Sequence, residues 1–489
     1  MDLCVRVEQI LEQLRPVFSR QVPFRWLLLL VWGIILAERD GAVTGYLNAL
    51  GVSQQYYHQA LHWFNASSWS VQSLCQRWGE WLRTHPQAVR LRGRLVYVGD
   101  TVKVMKSGMK MPLVKKLKQL SQNVNKPQWI RGHHFGVVSL LMGQGEALFA
   151  VVLQAQVQEG LRGQLGRMSP LVLYWGLYQP QALLLLKWLQ GLYAPFNDTL
   201  VRQMAHQSAT LAHSGSIIIL DAFYAAKQLL RFYREAQLFL ISRVRINTCA
   251  AAPFCPLPGG KGKGRKRQWG SKIKLRQLFA EVEQFESVTL KLYGRSQQVR
   301  YRSFQLHWDS STHLVQFVLS QLPSGQRLIL ISNDLELSGA DIIQAYSWRF
   351  KIEVSFRTLI HLLDGFSYRF WLKALPKTGL WPKAINLPDV PWAQQQALLA
   401  KLEAFERFVN LHALVLGILQ ILALEFPQLI YQSCPHWFRS LPQHAFPSEQ
   451  IVRLTLRHCL GSINAKIPPR LLLHQFLAAL PSPRTDQHA

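Results

Sequence analysis

The chain has 489 residues, 49% of them hydrophobic, with 55 Lys+Arg against 27 Asp+Glu and a formal net charge of +28. That length and apolar content exclude a disordered chain and predict roughly two to four structural units. A positive surplus this large repels itself on folding and answers a polyanion, with nucleic acid the first candidate.

Attachment to a membrane is the competing reading of a basic, apolar chain. The longest clean apolar run, Leu27 to Ala37, is shorter than the about 20 residues a spanning helix needs. The stretch from Phe408 to Leu424 is interrupted by Asn410, His412 and Gln420. Both are expected to be buried helices, with no membrane partner. The N-terminus carries Asp2 and Glu8 and lacks the basic start and apolar centre of a signal peptide. Cys4, Cys75, Cys249, Cys255, Cys434 and Cys459 form no CxxC. They are expected to be free, mostly buried thiols in a cytoplasmic, nucleoid-associated setting.

Residues 1–88 carry helical periodicity. Thr44 to Phe64 has the rhythm of a helix-turn-helix, with Gly51 at the turn and Ser53 as cap of the second helix. Such a hairpin serves equally as a plain packing unit. At Leu91 the period changes: LRGRLVYVGD reads as a strand ending at Asp100. The segment after it holds Lys103, Lys106, Lys110, Lys115, Lys116, Lys118, Lys126 and Arg131, with no acidic residue until Glu146. HFGVVSLLMG and ALFAVVLQAQV read as a hairpin turning at Gly143 to Gly145. Helical patterns fill 170–212. SIIILDAFYAAKQLLRFYREAQLFLISRV then reads strand, helix, strand, with Asp221 at the end of the first strand.

Residues 245–335 open on a Gly- and Pro-rich basic stretch containing Lys261, Lys263, Arg265, Lys266 and Arg267, then alternate as short strands, which predicts a small antiparallel sheet. A helix capped by Ser338 and Asp341 is expected to run past Leu363. Another long helix spans 400–425, and a Pro-rich tail with short helices follows.

Cutting and joining DNA calls for hard divalent cations held by converging carboxylates where the backbone can reach them. Asp100 and Asp221 each follow a buried strand. Tyr346, Arg349, Glu353 and Arg357 step by three, four and four along one helix face. A carboxylate between arginines suits a phosphate site, with Glu353 on metal and Arg349 and Arg357 gripping phosphate. Plainer roles stay open: either aspartate as a helix cap, Glu353 within an ion-pair ladder, and Asp334 as a rival ligand whose place favours a turn. His133 and His134, adjacent in a strand, point to opposite faces and do not share an ion.

YSWRFKIE, a Y-x2-R-x3-E pattern, resembles the signature of DDE transposases of bacterial insertion sequences, in the insertion-sequence-four group. VYVGDTVKV and IIILDAF resemble that family's two Asp-bearing strands, and the likeness covers about 90–375. The family pattern continues E-x6-K, where this chain has Ile360, with Arg357 or His361 as candidate substitutes.

The resemblance implies an α/β fold with an RNase H-like catalytic core, a β-rich insertion, an all-helical N-terminal domain and a helical C-terminal region. Its expected boundaries are 1–88 for the DNA-binding domain and 89–244 for the first part of the core. The insertion takes 245–337, the helix completing the core 338–375, and the C-terminal region 376–489. It implies two Mg²⁺ ions, replaceable by Mn²⁺, on Asp100, Asp221 and Glu353. It implies cleavage of double-stranded DNA at element ends, joining of the 3′-OH to target DNA, and a homodimer on DNA. Tyr346, Arg349, Arg357, Lys103, Lys106, Lys110, Lys115, Lys116, Lys263, Arg265, Lys266 and Arg267 are the expected DNA contacts. Some relatives stack a flipped base on an insertion-domain Trp, here Trp308 or Trp269. The alternative reading is an inactive, domesticated DNA-binding descendant.

Overall fold

The computed structural model describes residues 2–38, 41–66, 68–119, 127–145, 147–158, 161–162, 199–254, 269–308, 313–383, 385–386, 389–436, 446–460 and 467–480. The helices expected over 170–198 and the basic cluster Lys261, Lys263, Arg265, Lys266 and Arg267 lie outside the described residues, as do Lys126 and Cys255.

The N-terminal region is helical: α1 (Leu3–Glu12), α2 (Gln21–Leu36), α3 (Val43–Ala49), α4 (Tyr57–Asn65) and α5 (Val71–Thr84). Asp2 caps α1 by accepting from the Cys4 amide. In α2 every residue from Trp26 to Ile35 is buried, the fate of a helix that is apolar all round. Between α3 and α4 the chain turns through left-handed Gly51 (φ 64°) and a 3₁₀ turn, Gln54–Tyr56. Ser53 makes no side-chain cap, because the 3₁₀ turn, not the α-helix, follows it directly.

The strands are β1 (Arg90–Leu91), β2 (Arg94–Met105), β3 (Lys115–Lys118), β4 (Trp129–Gln144), β5 (Ala147–Val157), β6 (Leu161–Arg162), β7 (Ile217–Leu220), β8 (Phe239–Val244), β9 (Cys249–Pro253), β10 (Trp269–Lys274), β11 (Glu286–Leu292), β12 (Arg295–His307), β13 (Leu314–Gln321), β14 (Arg327–Ser332) and β15 (Ile385–Asn386). At the heart of the large sheet the order is β5–β4–β2–β7–β8. β5, β4 and β2 are antiparallel neighbours, while β2, β7 and β8 are parallel. The parallel connection carries helices α6 (Thr199–Leu211) and α7 (Lys227–Glu235), as a crossover requires.

The β-rich stretch is not a separate small sheet. β14 pairs antiparallel with β8, and β13, β12, β11, β9 and β10 extend the same sheet to 13 strands. Strand periodicity is local, whereas the choice of neighbour is set by the open edge that β8 presents.

The expected single helix after Ser338 is two, α8 (Gly339–Trp348) and α9 (Lys351–His361). The Ser338/Asp341 capping box is present. Between the helices the chain tightens to i→i−3 bonding: the Arg349 amide donates to the Tyr346 carbonyl and the Ile352 amide to the Arg349 carbonyl.

The 34-residue α10 (Trp392–Glu425) alone among the described helices is long and apolar enough to cross a membrane, yet 94% of its apolar window is buried inside the protein. It packs on β5, α2 and α4 and on the C-terminal helix α12 (Glu449–Leu460), which follows α11 (Pro427–Ser433) and precedes α13 (Leu472–Ala478). Its polar residues have assigned work. Asn410 exchanges two hydrogen bonds with the Ala155 backbone (2.8 and 2.7 Å), and Glu406 accepts from the Val157 amide (2.9 Å). Those side chains satisfy the outer edge of β5 where another strand would otherwise pair. His412 bonds the Tyr46 hydroxyl at 2.7 Å. One continuous hydrophobic core thus joins the N-terminal helices, the sheet and α10–α13.

Candidate active site

Asp100 and Asp221 are placed by the β2–β7 pairing. The parallel ladder ends at Gly99 opposite Leu220, so the next residue on each strand is one of the aspartates, at the same level. Strands about 4.8 Å apart bring their backbones side by side. β2 does not end at Asp100, as LRGRLVYVGD suggested. It runs to Met105 because β4 continues to pair with it, Asp100 opposite Val137. Asp100 therefore sits where β2 loses one neighbour and keeps the other.

Gly99 sets which face the carboxylates use. A Cβ there would stand 2.6 Å from Leu220 Cδ2 and 2.9 Å from Met204 Sδ, so α6 presses against that face. Side chains alternate along a strand, so Asp100 points to the opposite face. There α9 lies over β2 and β5, with Ser355 Oγ donating to the Ala150 carbonyl.

The helix break delivers Arg349 into this space. Its Nη1 donates to Asp100 Oδ2 at 2.9 Å and its Nη2 to Glu353 Oε1 at 2.6 Å, while Nε lies 3.9 Å from Asp221 Oδ1. Three carboxylates from three distant segments thus surround one guanidinium. The Thr101 amide fixes Asp100 Oδ1 at 2.7 Å, and the Tyr346 hydroxyl reaches Asp221 Oδ1 at 3.5 Å. Ser242 Oγ donates to the Asp221 carbonyl at 3.1 Å, tying the end of β7 to β8.

The electrostatics follow burial. Burial pushes the Asp100 carboxyl up to about 6, helped by Asp221 and Glu353 and opposed by the Thr101 amide and Arg349. Burial alone would lower the Arg349 guanidinium, but Asp100, Glu353 and Asp221 hold it above its ordinary value. Burial and the adjacent Asp221 raise the Tyr346 phenol to about 12, so it stays a proton donor.

Arg349 therefore faces the carboxylates, where the sequence suggested a phosphate grip. No group of three His, Cys, Asp or Glu side chains among the described residues is close enough together to hold an ion. Arg357 and His361 are exposed on α9, and Ile360 is partly buried against the core.

Asp334 is removed from the site. β14 runs antiparallel to β8 with Ser332 opposite Ile241, which puts Asp334 at the start of β8, the far end from Asp221. It pairs with Arg94 Nε at 3.1 Å and accepts from the Glu336 amide at 3.1 Å, the turn role its sequence context favoured. His133 is buried between Tyr368 and the Pro112 carbonyl, and burial lowers its imidazole to about 3.

The lysines divide. Lys106 is buried, donates to the Phe366 and Tyr368 carbonyls and lies 3.5 Å from the centre of the Tyr368 ring. Burial lowers its ammonium to about 7. It is thus withdrawn from any DNA path, because β4 and the segment after α9 close over it. Lys103 donates to the Lys118 carbonyl at 2.7 Å and Lys110 to the Lys373 carbonyl at 3.0 Å. Lys115 is half-buried, and Lys116 is exposed. Trp308 is buried at 9% exposure, which removes it as a stacking surface, and Trp269 is partly covered.

One neighbour of the site escaped the sequence reading. Tyr293, left-handed at φ 52° in the β11–β12 turn, sets its ring 5.8 Å from that of Phe350, within the helix break. The Tyr-Gly pair at 293–294 was the available signal for a tight hairpin, though not for where it would lean.

No protein-family model matches the chain. No curated protein matches it either. Among solved structures, it is similar to the cryo-EM structure of a piggyBac transposase synaptic complex with hairpin DNA, at TM-score 0.33 and 8% sequence identity over 100% of this chain and 85% of that chain.

Proposed function

We propose that the chain is a DDE-type DNA transposase that cleaves DNA at the ends of an insertion element and joins the freed 3′-OH to target DNA. The observation that carries this reading is the convergence of Asp100, Asp221 and Glu353 on the single guanidinium of Arg349. An RNase H-like core is supported by the order β5–β4–β2–β7–β8 with one aspartate at the end of each parallel strand's shared ladder. The +28 charge supports double-stranded DNA as partner. A homodimer on paired ends and a bacterial nucleoid setting belong to the same proposal.

By chemistry the three side chains are the all-oxygen donors that hard divalent cations take. They close on Arg349 and not on one another, so holding an ion would require Arg349 to leave and the carboxylates to draw together. Asp100, Asp221 and Glu353 would hold Mg²⁺, with Mn²⁺ as substitute. Bound there, the ions supply nucleophile activation and stabilisation of the leaving oxygen. Arg349 neutralises the three carboxylates, and its guanidinium is of the kind that binds phosphate. The Thr101 amide holds Asp100 Oδ1 and the Tyr346 hydroxyl reaches Asp221 Oδ1.

The test uses the DNA that flanks the coding region, in which the proposal expects terminal inverted repeats. Cleavage in Mg²⁺ or Mn²⁺ is expected, lost in Asp100→Asn, Asp221→Asn and Glu353→Gln while DNA binding persists. Binding without nicking in any divalent metal would overturn the enzymatic reading and leave the domesticated DNA-binding protein.

A further inference from the structure

Beyond the carboxylates, β2, β4 and β3 continue as an extension of the sheet, the arm. From Val137, opposite Asp100, to Trp129 is eight residues of β4, roughly 27 Å of strand. On one face of this arm Lys118 pairs across from Trp129 and Lys116 across from Arg131, while Leu117 on the other face is buried. The segment following α9 packs beside the arm. The Leu372 amide donates to the Lys110 carbonyl (3.0 Å), the Thr378 amide to the Met109 carbonyl (2.9 Å), and Arg131 Nη2 to Thr378 Oγ1 (2.6 Å). This brings Trp381 to the same lysine: Lys116 Nζ lies 4.4 Å from the Trp129 ring centre and 4.8 Å from that of Trp381.

Both indoles are open to solvent, Trp129 at 38% and Trp381 at 45%. The sequence segments 101–145 and 365–388, from which the described residues of this surface come, contain no Asp or Glu. An indole left in water beside fixed lysines, with no acidic side chain in either segment, has a polyanion with exposed flat faces as its complement. A paired duplex hides its base faces, whereas unpaired nucleotides offer both phosphate and ring.

We propose that the Trp129–Lys116–Trp381 surface binds single-stranded nucleic acid, the two indoles stacking on unpaired bases while Lys116 and Lys118 track the backbone. The inference goes beyond the transposase reading and does not depend on the carboxylates.

The test measures fluorescence anisotropy of the full chain in EDTA with labelled oligomers of about 20 nucleotides: oligothymidylate, oligouridylate and a blunt duplex. Trp129→Ala and Trp381→Ala are each expected to weaken single-strand binding on the order of 10-fold and to leave duplex binding within about 2-fold. Trp129→Phe should retain most of the affinity, since a ring remains, and an unchanged melting curve confirms the fold. A difference between the thymidine and uridine arms decides between DNA and RNA as the natural strand. Unchanged single-strand affinity in the double alanine variant, or equal losses for single strand and duplex, would overturn the proposal. Because no metal is present, either result is independent of whether the chain cuts DNA.

Discussion

Arg349 Nη1 donates to Asp100 Oδ2 at 2.9 Å across 249 residues of sequence, and the same guanidinium bonds Glu353 at 2.6 Å. The arginine acts as counter-cation to a cluster of acidic groups. Removing it in Arg349→Ala leaves like charges facing one another in a half-open site, with Asp221 37% and Glu353 54% exposed, which should cost about 1–2 kcal/mol at neutral pH. If these carboxylates hold divalent cations, millimolar Mg²⁺ should recover more stability in this variant than in the wild type, since binding to the folded state alone is stabilising. Thermal melts with and without Mg²⁺ check both halves. A variant that melts like the wild type and ignores Mg²⁺ would detach Arg349 and the carboxylates from a common cation site.

Asp100 carries the pH prediction. Its folded-state pKa, raised to about 6 chiefly by burial, lies above the 3.8 of the unfolded chain. The folded state therefore binds the proton more tightly, and this stabilising contribution is complete below pH 3.8 and lost as pH rises through 6. If the chain cuts DNA with metal held on Asp100, as proposed, the carboxylate form is required, so metal affinity and DNA cleavage should rise as pH climbs through 6 and then level off. Cleavage rates between pH 5 and 8 at fixed Mg²⁺ test this; a rate that falls over that range runs against it.

The acidic residues were legible because each stood against a clear local signal. IIIL before Asp221 is a buried strand, and Arg349 and Glu353 are one helical turn apart. What local pattern could not supply was pairing. That β2 continues past Asp100 depends on β4, and that Asp334 lies at the wrong end of the sheet depends on the antiparallel direction of β14. The break at Arg349 was hidden because WRFK has no proline or glycine. Charge counting also erred on Lys106, since a lysine packed on a tyrosine ring looks, in one dimension, like a lysine on DNA.

That distinction is measurable. Lys106→Met should leave the salt dependence of DNA binding unchanged, because the ammonium already bonds protein carbonyls. Lys116→Ala, on the exposed face, should lower the slope of log affinity against log salt by about one. Equal slopes for the two variants would mean that burial does not sort these lysines.

Glu425, far from the carboxylate cluster, ties the ends of three helices. It accepts from Arg6 Nη2 (2.6 Å) and Nε (2.9 Å) on α1 and bonds His85 Nε2 (2.9 Å) just past α5. A carboxylate at the C-terminus of α10 opposes the helix dipole, so these partners are needed to keep it charged. Burial alone would raise its pKa, but the hydrogen bonds from His85 and Arg6 outweigh burial and lower it to about 2, against 4.5 unfolded. A depressed carboxylate contributes stability that is complete above pH 4.5 and lost as pH falls through 2. The full shift converts to roughly 3 kcal/mol, reduced to about 1–2 kcal/mol because the group is partly solvated. Glu425→Gln should therefore unfold at lower urea than the wild type at pH 7, with the gap shrinking to less than half by pH 3. A gap of equal size at both values would show that the side chain acts through packing, with its charge incidental.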